Sequence, residues 1–248
     1  MQPIPQSAQV FQQLRRTAWR YLPDVIIHSE ESAVKKHPVY ATAKCGEPSA
    51  ARELVLETMT LNGLAHINSL LNQRKPVLLA VQAFETEGMN VIPRVLATAL
   101  ARELALPLTS GIVQINRVSH TGSSGYHRLA YPALFAGTVE EREYFLVDDF
   151  IGQGGTLANL KGFIESHGGM VLGATTLTGK QYSAKLCLAD ETLQTLRRKH
   201  GTELEQWWLA AFGYGFERLT ESEARYLISG DDAHTITARI VAAWGAGT

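Results

Sequence analysis

The segment from Tyr144 to Thr156 constrains the fold of this chain more than any other. Its first residues, Tyr144–Val147, are apolar, and two adjacent carboxylates, Asp148 and Asp149, follow directly. A glycine-rich turn then leads to Thr156, where a helical pattern of apolar residues begins. This order predicts a strand, a loop and a helix start. Unpaired N–H groups and the positive end of the helix dipole favour an anion there, and glycines let the backbone close around a phosphate.

Two commoner glycine-rich motifs do not fit this segment. A Walker A loop needs a Lys, and none lies between Asp148 and Leu160. A dinucleotide fingerprint needs a small residue where Leu157 stands, and an acid after the run Met170–Leu177, where none follows. The paired acids indicate a sugar phosphate instead, because carboxylates can accept hydrogen bonds from vicinal hydroxyls.

Composition narrows the class of protein and its compartment. The chain has 248 residues, 45% of them hydrophobic, and a formal net charge of −1, which argues against a general nucleic-acid binder. The N-terminus lacks the features of a signal peptide, and no apolar run approaches the length of a membrane span. We therefore expect a cytoplasmic protein that binds neither nucleic acid nor membrane. Cys45 and Cys187 are expected to be free thiols.

Apolar runs alternate with helical patterns through the middle of the chain. Strands are predicted near residues 77–81, 112–115, 144–147 and 170–177. This alternation predicts an α/β fold with a parallel sheet covered by helices. One long helix is expected over 47–72, and a capping-box signal at Thr220–Glu223 marks a helix start near the C-terminus. The predicted organisation is an N-terminal helical extension (1–75), an α/β core (76–182) and a C-terminal helical addition packed on that core (183–248).

The acid pair and turn resemble the phosphoribosyl pyrophosphate (PRPP) signature of type I phosphoribosyltransferases. Val147–Asp149 and Gly154–Thr156 match that signature, whereas Gln153 stands where the family usually has Thr. The resemblance implies a type I phosphoribosyltransferase-like parallel-sheet core. It also implies an enzyme that binds PRPP with Mg²⁺ and transfers phosphoribose to a nitrogenous acceptor, releasing pyrophosphate.

The resemblance also assigns roles within the turn. Asp148 and Asp149 would accept from the ribose hydroxyls and serve catalysis, with an indirect link to Mg²⁺. The residues expected to hold the 5′-phosphate are Gly152, Gln153, Gly154, Gly155 and Thr156.

Two further loops are expected to complete the site. Ala83, Phe84 and Glu85 stand where the family binds pyrophosphate. Glu85 and Glu87 would repel pyrophosphate unless Mg²⁺ lies between them, and a solvated acidic turn is an equal alternative. The later loop, 117–128, matches the family's flexible catalytic loop. The residues there that could neutralise departing pyrophosphate are Arg117, His120, His127 and Arg128.

The acceptor site is the least readable part. Residues 37–44 could form a hood over it, with Tyr40 stacking on a base and Lys44 meeting a phosphate or a carbonyl. Trp207 and Trp208 are better explained as core residues of a helix. Gly152 occupies the region where purine-salvage members carry an acid, so that route to a purine substrate is not expected.

Two alternatives stay open at this stage. The chain could be a non-catalytic PRPP- or nucleotide-binding regulator, which the departures at Gly152 and Gln153 favour. It could also be a hydrolase or phosphorylase acting on a nucleoside phosphate. The expected partners are PRPP and an unidentified small acceptor, and family members are often homodimers.

Overall fold

The computed structural model describes residues 1–85, 88–116, 118 and 124–246. Its strands are β1 (Ile26–Ser29), β2 (Val77–Ala80), β3 (Phe84–Glu85), β4 (Gly88–Met89), β5 (Leu108–Thr109), β6 (Ile112–Gln114), β7 (Phe135–Gly137), β8 (Glu143–Ile151) and β9 (Met170–Gly179). Its α-helices are α1 (Glu31–Lys35), α2 (Tyr40–Lys44), α3 (Pro48–Thr58), α4 (Leu61–Leu71), α5 (Ile92–Leu104), α6 (Gly125–Ala130), α7 (Gly155–Ser166), α8 (Asp190–Phe212), α9 (Glu221–Ser229) and α10 (Ala233–Ala246).

A five-stranded parallel sheet, in the order β1-β9-β8-β2-β5, organises the molecule. Helices flank it, which confirms the predicted α/β class with a parallel sheet. From β2 the chain runs through α5 to β5 at one edge, whereas from β8 it runs through α7 to β9 on the other side. The strand order therefore reverses between β2 and β8, and a crevice opens beyond their carboxyl ends at such a switch point.

Each face of the sheet has its own apolar core. On one face, helices α3, α4 and α5 cover side chains such as Phe145 and Val147 of β8. On the other face, α7 covers Tyr144 and Leu146. The alternation follows from the two-residue period of a strand. The next two residues of β8, Asp148 and Asp149, interrupt this apolar pattern.

The N-terminal region differs from the predicted helical extension in two respects. Residues 26–29 form β1, which pairs in parallel with β9 at the sheet edge. The expected helix over 47–72 is two helices, because the chain is extended at Met59 and Thr60. Thr60 caps α4 by accepting a hydrogen bond from the Gly63 N–H at 3.1 Å. A four-residue strand and an internal cap leave little periodic signal in a sequence.

The predicted strand at 112–115 also differs in its placement. It forms β6, which pairs antiparallel with β7 in a separate hairpin and not in the main sheet. The fifth parallel strand is instead β5, of only two residues. Helix α6 (125–130) begins in the later part of the predicted flexible loop, 117–128, and Ser124 caps it by accepting a hydrogen bond from the His127 N–H.

The C-terminal helices form a third apolar core with the N-terminal segment. Trp207, Trp208 and Trp244 are buried there, and Phe11 packs against Trp244. The capping box at Thr220 and Glu223 is present as predicted, and it begins α9. In the described residues, no helix is long and apolar enough to cross a membrane.

Candidate functional site

A cleft of about 280 Å³ lies where the strand order reverses. Val81 and Ala83, which follow β2, line one side, and Asp148 and Asp149 of β8 line the other. All five residues of the turn, 152–156, also line it. The fold thus brings the predicted acid pair and phosphate turn to one cavity.

The turn enters α7 through a backbone conformation that favours glycine. Gly154 caps the helix at φ 81° and ψ 0°, in the left-handed region. A side chain there would also overlap Leu186. Helix α7 is twelve residues long, and its first N–H groups have no partner within the helix. Its dipole therefore favours a negative charge at the turn.

The two acids lie within strand β8, which continues to Ile151, and both are buried. The apolar run stops at Val147, so the sequence predicts the acids at the strand end, two residues earlier than the strand in fact ends. Asp149 forms an ion pair with Lys44 of α2 at 2.8 Å. Asp148 accepts a hydrogen bond from the Asp149 backbone N–H at 2.9 Å.

The carboxyl groups of the two acids ionise differently. Burial and the neighbouring charge of Asp149 raise the pKa of Asp148 well above its usual range. Burial also disfavours charge on Asp149, but Lys44, Asn90 and Asp148 together lower its pKa. The pair therefore carries its negative charge on Asp149, and Asp148 holds the more firmly bound proton.

Basic side chains surround the acids and the turn. Arg128 of α6 lies against Gly152, where a Cβ would overlap its guanidinium. Lys35 lines the cleft with its ammonium 4.3 Å from the centre of the Phe150 ring. Tyr40 and Lys44 also line the cleft, which is where the predicted hood would lie.

The other predicted residues are less closely associated with the cleft. His127 does not line it, and its ring lies 4.8 Å from that of Tyr131. The backbone of Phe84 and Glu85 forms β3, paired with β4. Glu87, Arg117 and His120 lie outside the described residues. Trp207 and Trp208 are core residues, as their spacing suggested.

The described residues of the cleft offer few side chains that could bind a metal ion. Across the described ranges, no three His, Cys, Asp or Glu side chains are grouped so that they could hold one. Mg²⁺ is commonly bound by one or two carboxylates together with substrate phosphates. Asp149, which carries the charge of the pair, could supply one such carboxylate, and a substrate would then have to supply most of the other ligands.

Two curated relatives are similar in sequence. The chain is 34% identical over 234 residues to protein TraN of Escherichia coli, covering 94% of this chain and 52% of TraN. It is 38% identical over 159 residues to an uncharacterized protein of Haemophilus influenzae, covering 64% of this chain and 36% of that protein. The chain therefore spans between about a third and about half the length of these relatives.

Known families and solved structures add little. No model of a known protein family matches the chain. An adenine phosphoribosyltransferase from Leishmania donovani aligns with 70% of this chain and 69% of its own, at 13% identity. Its TM-score is 0.32. A score this low supports no conclusion about the fold or the function.

Sequence reasoning missed one group of residues in the cleft wall. Arg16, Asn159, Tyr214 and Glu223 meet there although they are up to 207 positions apart. In the sequence, Glu223 belongs to a capping-box pattern. That pattern predicts a helix start, but it does not predict that Glu223 lies near a ligand. Arg16 carries no local signal, because its partners are distant in sequence.

Proposed function

We propose that this chain binds PRPP with Mg²⁺ and transfers phosphoribose to a nitrogenous acceptor, with release of pyrophosphate. One observation carries the proposal. The acid pair of β8 and the glycine turn into α7 line the same cleft at the reversal of strand order. Crevices at this position bind ligands in open parallel sheets.

The turn is suited to the 5′-phosphate. The N–H groups at the start of α7 and the helix dipole favour a phosphate, and the Thr156 hydroxyl can donate to it. The Arg128 guanidinium lies beside the same turn and adds positive charge. These features account for a phosphate without the Lys of a Walker loop.

The acids are suited to a vicinal diol. The raised pKa of Asp148 favours its protonated form, which can donate one hydrogen bond and accept another. Asp149 stays ionised beside Lys44 and acts as an acceptor. When bound, Mg²⁺ would neutralise the pyrophosphate as it departs, and Asp148 and Asp149 are the side chains that would face it.

Turnover is the direct test. The protein would be incubated with PRPP, Mg²⁺ and a panel of nitrogenous bases, and pyrophosphate release would be assayed. We expect release with at least one acceptor, and a loss of at least about 100-fold in Asp149→Asn, because the ribose would lose its charged acceptor. Asp231→Asn, a change in a C-terminal acid outside the cleft, is the matched control. A protein that neither binds PRPP nor releases pyrophosphate would contradict the proposal.

A second function is favoured by one contact. Lys44 already pairs with the Asp149 carboxylate at 2.8 Å, so a ribose hydroxyl must compete with Lys44 for that carboxylate. Such a site would suit a regulator that binds PRPP or a nucleotide without transferring phosphoribose. Calorimetric binding of PRPP with no pyrophosphate release would favour this function. Free ribose 5-phosphate as a product would instead indicate a hydrolase.

A further inference from the structure

A buried ion pair stands directly behind the phosphate turn. The Arg16 guanidinium contacts both carboxylate oxygens of Glu223, at 2.5 and 2.7 Å. Arg16 is 3% exposed and Glu223 is 4% exposed. Both nevertheless line the cleft. Two charges taken this far out of water are costly to bury, so stability alone is a weak explanation for the pair.

Several hydrogen bonds hold the Arg16 guanidinium, but they do not use all of its N–H groups. Its Nε donates to Asn159 Oδ1 at 2.7 Å, and Nη1 also donates to the Arg218 carbonyl at 3.2 Å. With the two bonds to Glu223, four of its five N–H groups have acceptors among the described residues. The fifth is on Nη2, the atom that faces the turn.

Gly155 is what allows this approach. A Cβ on Gly155 would lie 3.3 Å from Arg16 Nη2 and 2.6 Å from Glu223 Oε1. Any larger residue would push the pair away from the first turn of α7. The glycine therefore keeps a cation within reach of an anion bound at this helix start.

The backbone of the turn is oriented by the same structural unit. Thr220, which caps α9, donates its hydroxyl to the Gln153 carbonyl at 2.6 Å. In a trans peptide the C=O and the following N–H point in opposite directions. The Gly154 N–H therefore points away from Thr220 and stays available to a ligand.

We propose that Arg16 is a phosphate-binding residue of the cleft, oriented by Glu223 and Asn159, an inference that rests on the proposed function. Its remaining N–H donates to the phosphate monoester of a sugar phosphate at the Gly152–Thr156 turn. Glu223 holds the Arg16 guanidinium in place, and the guanidinium neutralises the charge of the Glu223 carboxylate. Without Arg16, the carboxylate beside the turn would repel the phosphate.

Two variants give opposite expectations. Glu223→Gln keeps the capping box, since Gln also serves at this position, and removes the negative charge near the phosphate. We expect it to bind ribose 5-phosphate roughly tenfold more tightly in isothermal titration calorimetry. The double variant Arg16→Met with Glu223→Gln removes both charges and leaves none buried alone, so it should fold. We expect it to bind at least roughly tenfold more weakly than the wild type.

The control is a partly buried ion pair within α7, away from the start of that helix. Lys161 lies 2.7 Å from Glu165 in α7 and also donates to Thr17 at 2.9 Å, so it fastens the same N-terminal segment. Neither residue lines the cleft. Lys161→Met with Glu165→Gln should leave the affinity for ribose 5-phosphate unchanged, and thermal unfolding would verify that each variant is folded.

The outcomes separate the two proposals. A wild-type protein that binds no ribose 5-phosphate overturns the proposed function and this role of Arg16 together. A wild type that binds it, with variants of unchanged affinity, overturns only the role of Arg16. If the double variant does not fold, Arg16→Lys decides, because Lys keeps a cation beside Glu223 but lacks the second nitrogen that would reach the phosphate. Weaker binding of ribose 5-phosphate in Arg16→Lys supports the role, and unchanged binding overturns it.

Discussion

Asp148 and Asp149 are chemically identical neighbours that the fold places in different surroundings. Both acids line the same cleft, but their neighbours differ. Asp149 forms an ion pair with Lys44, whereas Asp148 is buried beside the charge of Asp149. One acid therefore stays ionised while the other retains its proton. Replacing one acid at a time should therefore change the melting temperature in different directions.

Asp148→Asn is expected to stabilise the protein at neutral pH. The pKa of Asp148 is raised by folding, so its favourable contribution is complete below its ordinary pKa and is lost as the pH rises through the raised value. Asn keeps the shape without that loss. We expect a melting temperature higher by about 2–4 °C at pH 7, corresponding to ~1 kcal/mol in a chain of this size, and little difference near pH 4.

Calorimetry from pH 4 to 8 would measure this effect. Asp149→Asn is the contrasting variant, because it breaks the pair with Lys44 and should lower the melting temperature at pH 7. A melting temperature for Asp148→Asn below that of the wild type at pH 7 would show that the Asp148 charge is stabilising.

His28 gives a pH dependence of the opposite sign, away from the cleft. Burial lowers its pKa to about 4 from 6.5, and its Nδ1 accepts a hydrogen bond from the Thr60 N–H at 3.2 Å. The unfolded chain binds a proton near pH 6.5 while the folded chain does not. The contribution of neutral His28 to the free energy of unfolding is therefore complete above pH 6.5 and is lost as the pH falls toward 4. It amounts to roughly 3 kcal/mol at most.

Urea unfolding at pH 7 and at pH 4.5 would test this expectation in His28→Asn. Asn can place an acceptor where Nδ1 lies but takes up no proton, so its stability should fall less between the two pH values than that of the wild type. An equal fall in both proteins would assign the acid sensitivity to other groups.

At the scale of elements, the start of α7 is built by segments distant in sequence. Helix α9 contributes Thr220 and Glu223, and the N-terminal segment contributes Arg16. The capping box of α9 therefore does more than begin a helix, because its threonine also fixes a carbonyl of the phosphate turn. The C-terminal helices and the cleft are coupled through this contact.

Thr220→Ala should reduce both stability and affinity. The change removes the acceptor for the Glu223 N–H at 3.1 Å and the donor to Gln153. Loss of such a cap costs about 1 kcal/mol, and the freed carbonyl adds about 1 kcal/mol more. We expect weaker binding of ribose 5-phosphate as well, because the turn is less fixed.

Thr220→Ser separates the hydroxyl from the methyl group. It keeps both hydrogen bonds and should retain most of the stability and affinity, as measured by urea unfolding and calorimetry. Equal losses in the Ser and Ala variants would instead assign the effect to the methyl group, whose Cγ2 would lie 3.5 Å from a Cβ on Gly154.

At the scale of the whole molecule, both ends of the chain meet around α7. Trp19 donates to the Leu219 carbonyl at 2.7 Å, and Arg218 donates to the Arg16 carbonyl at 2.7 Å. Arg16 then joins these segments to Asn159 of α7. The N-terminal segment therefore links the C-terminal helical core to the sheet.

This linkage predicts a single cooperative unfolding transition. All four tryptophans lie in the two end regions, at positions 19, 207, 208 and 244. Tryptophan fluorescence should therefore report the end regions, whereas far-UV circular dichroism reports every helix. We expect both signals to give the same urea midpoint, because the ends and the core unfold together. Two separate midpoints would show that the C-terminal helices unfold independently.

The sequence was most informative where a pattern is local. The parallel α/β class followed from apolar runs alternating with helical periods, and the start of α7 followed from the glycine turn. The sequence does not predict the short elements of the fold. Strands β1 and β5 have too few residues to show a period, and the break before α4 depends on one threonine cap. The antiparallel pairing of β6 depends on β7, a partner that no local signal reveals.

By itself, the sequence determined the strand, the paired acids and the glycine turn into a helix, because those residues are contiguous and their pattern needs no distant partner. Only the tertiary structure decided that both acids are buried, that Lys44 pairs with one of them, and that Arg16 and Glu223 stand behind the turn. Charge and pKa depend on burial and on neighbours in space. The electrostatics of this cleft therefore arise from residues up to 207 positions apart, which only folding brings together.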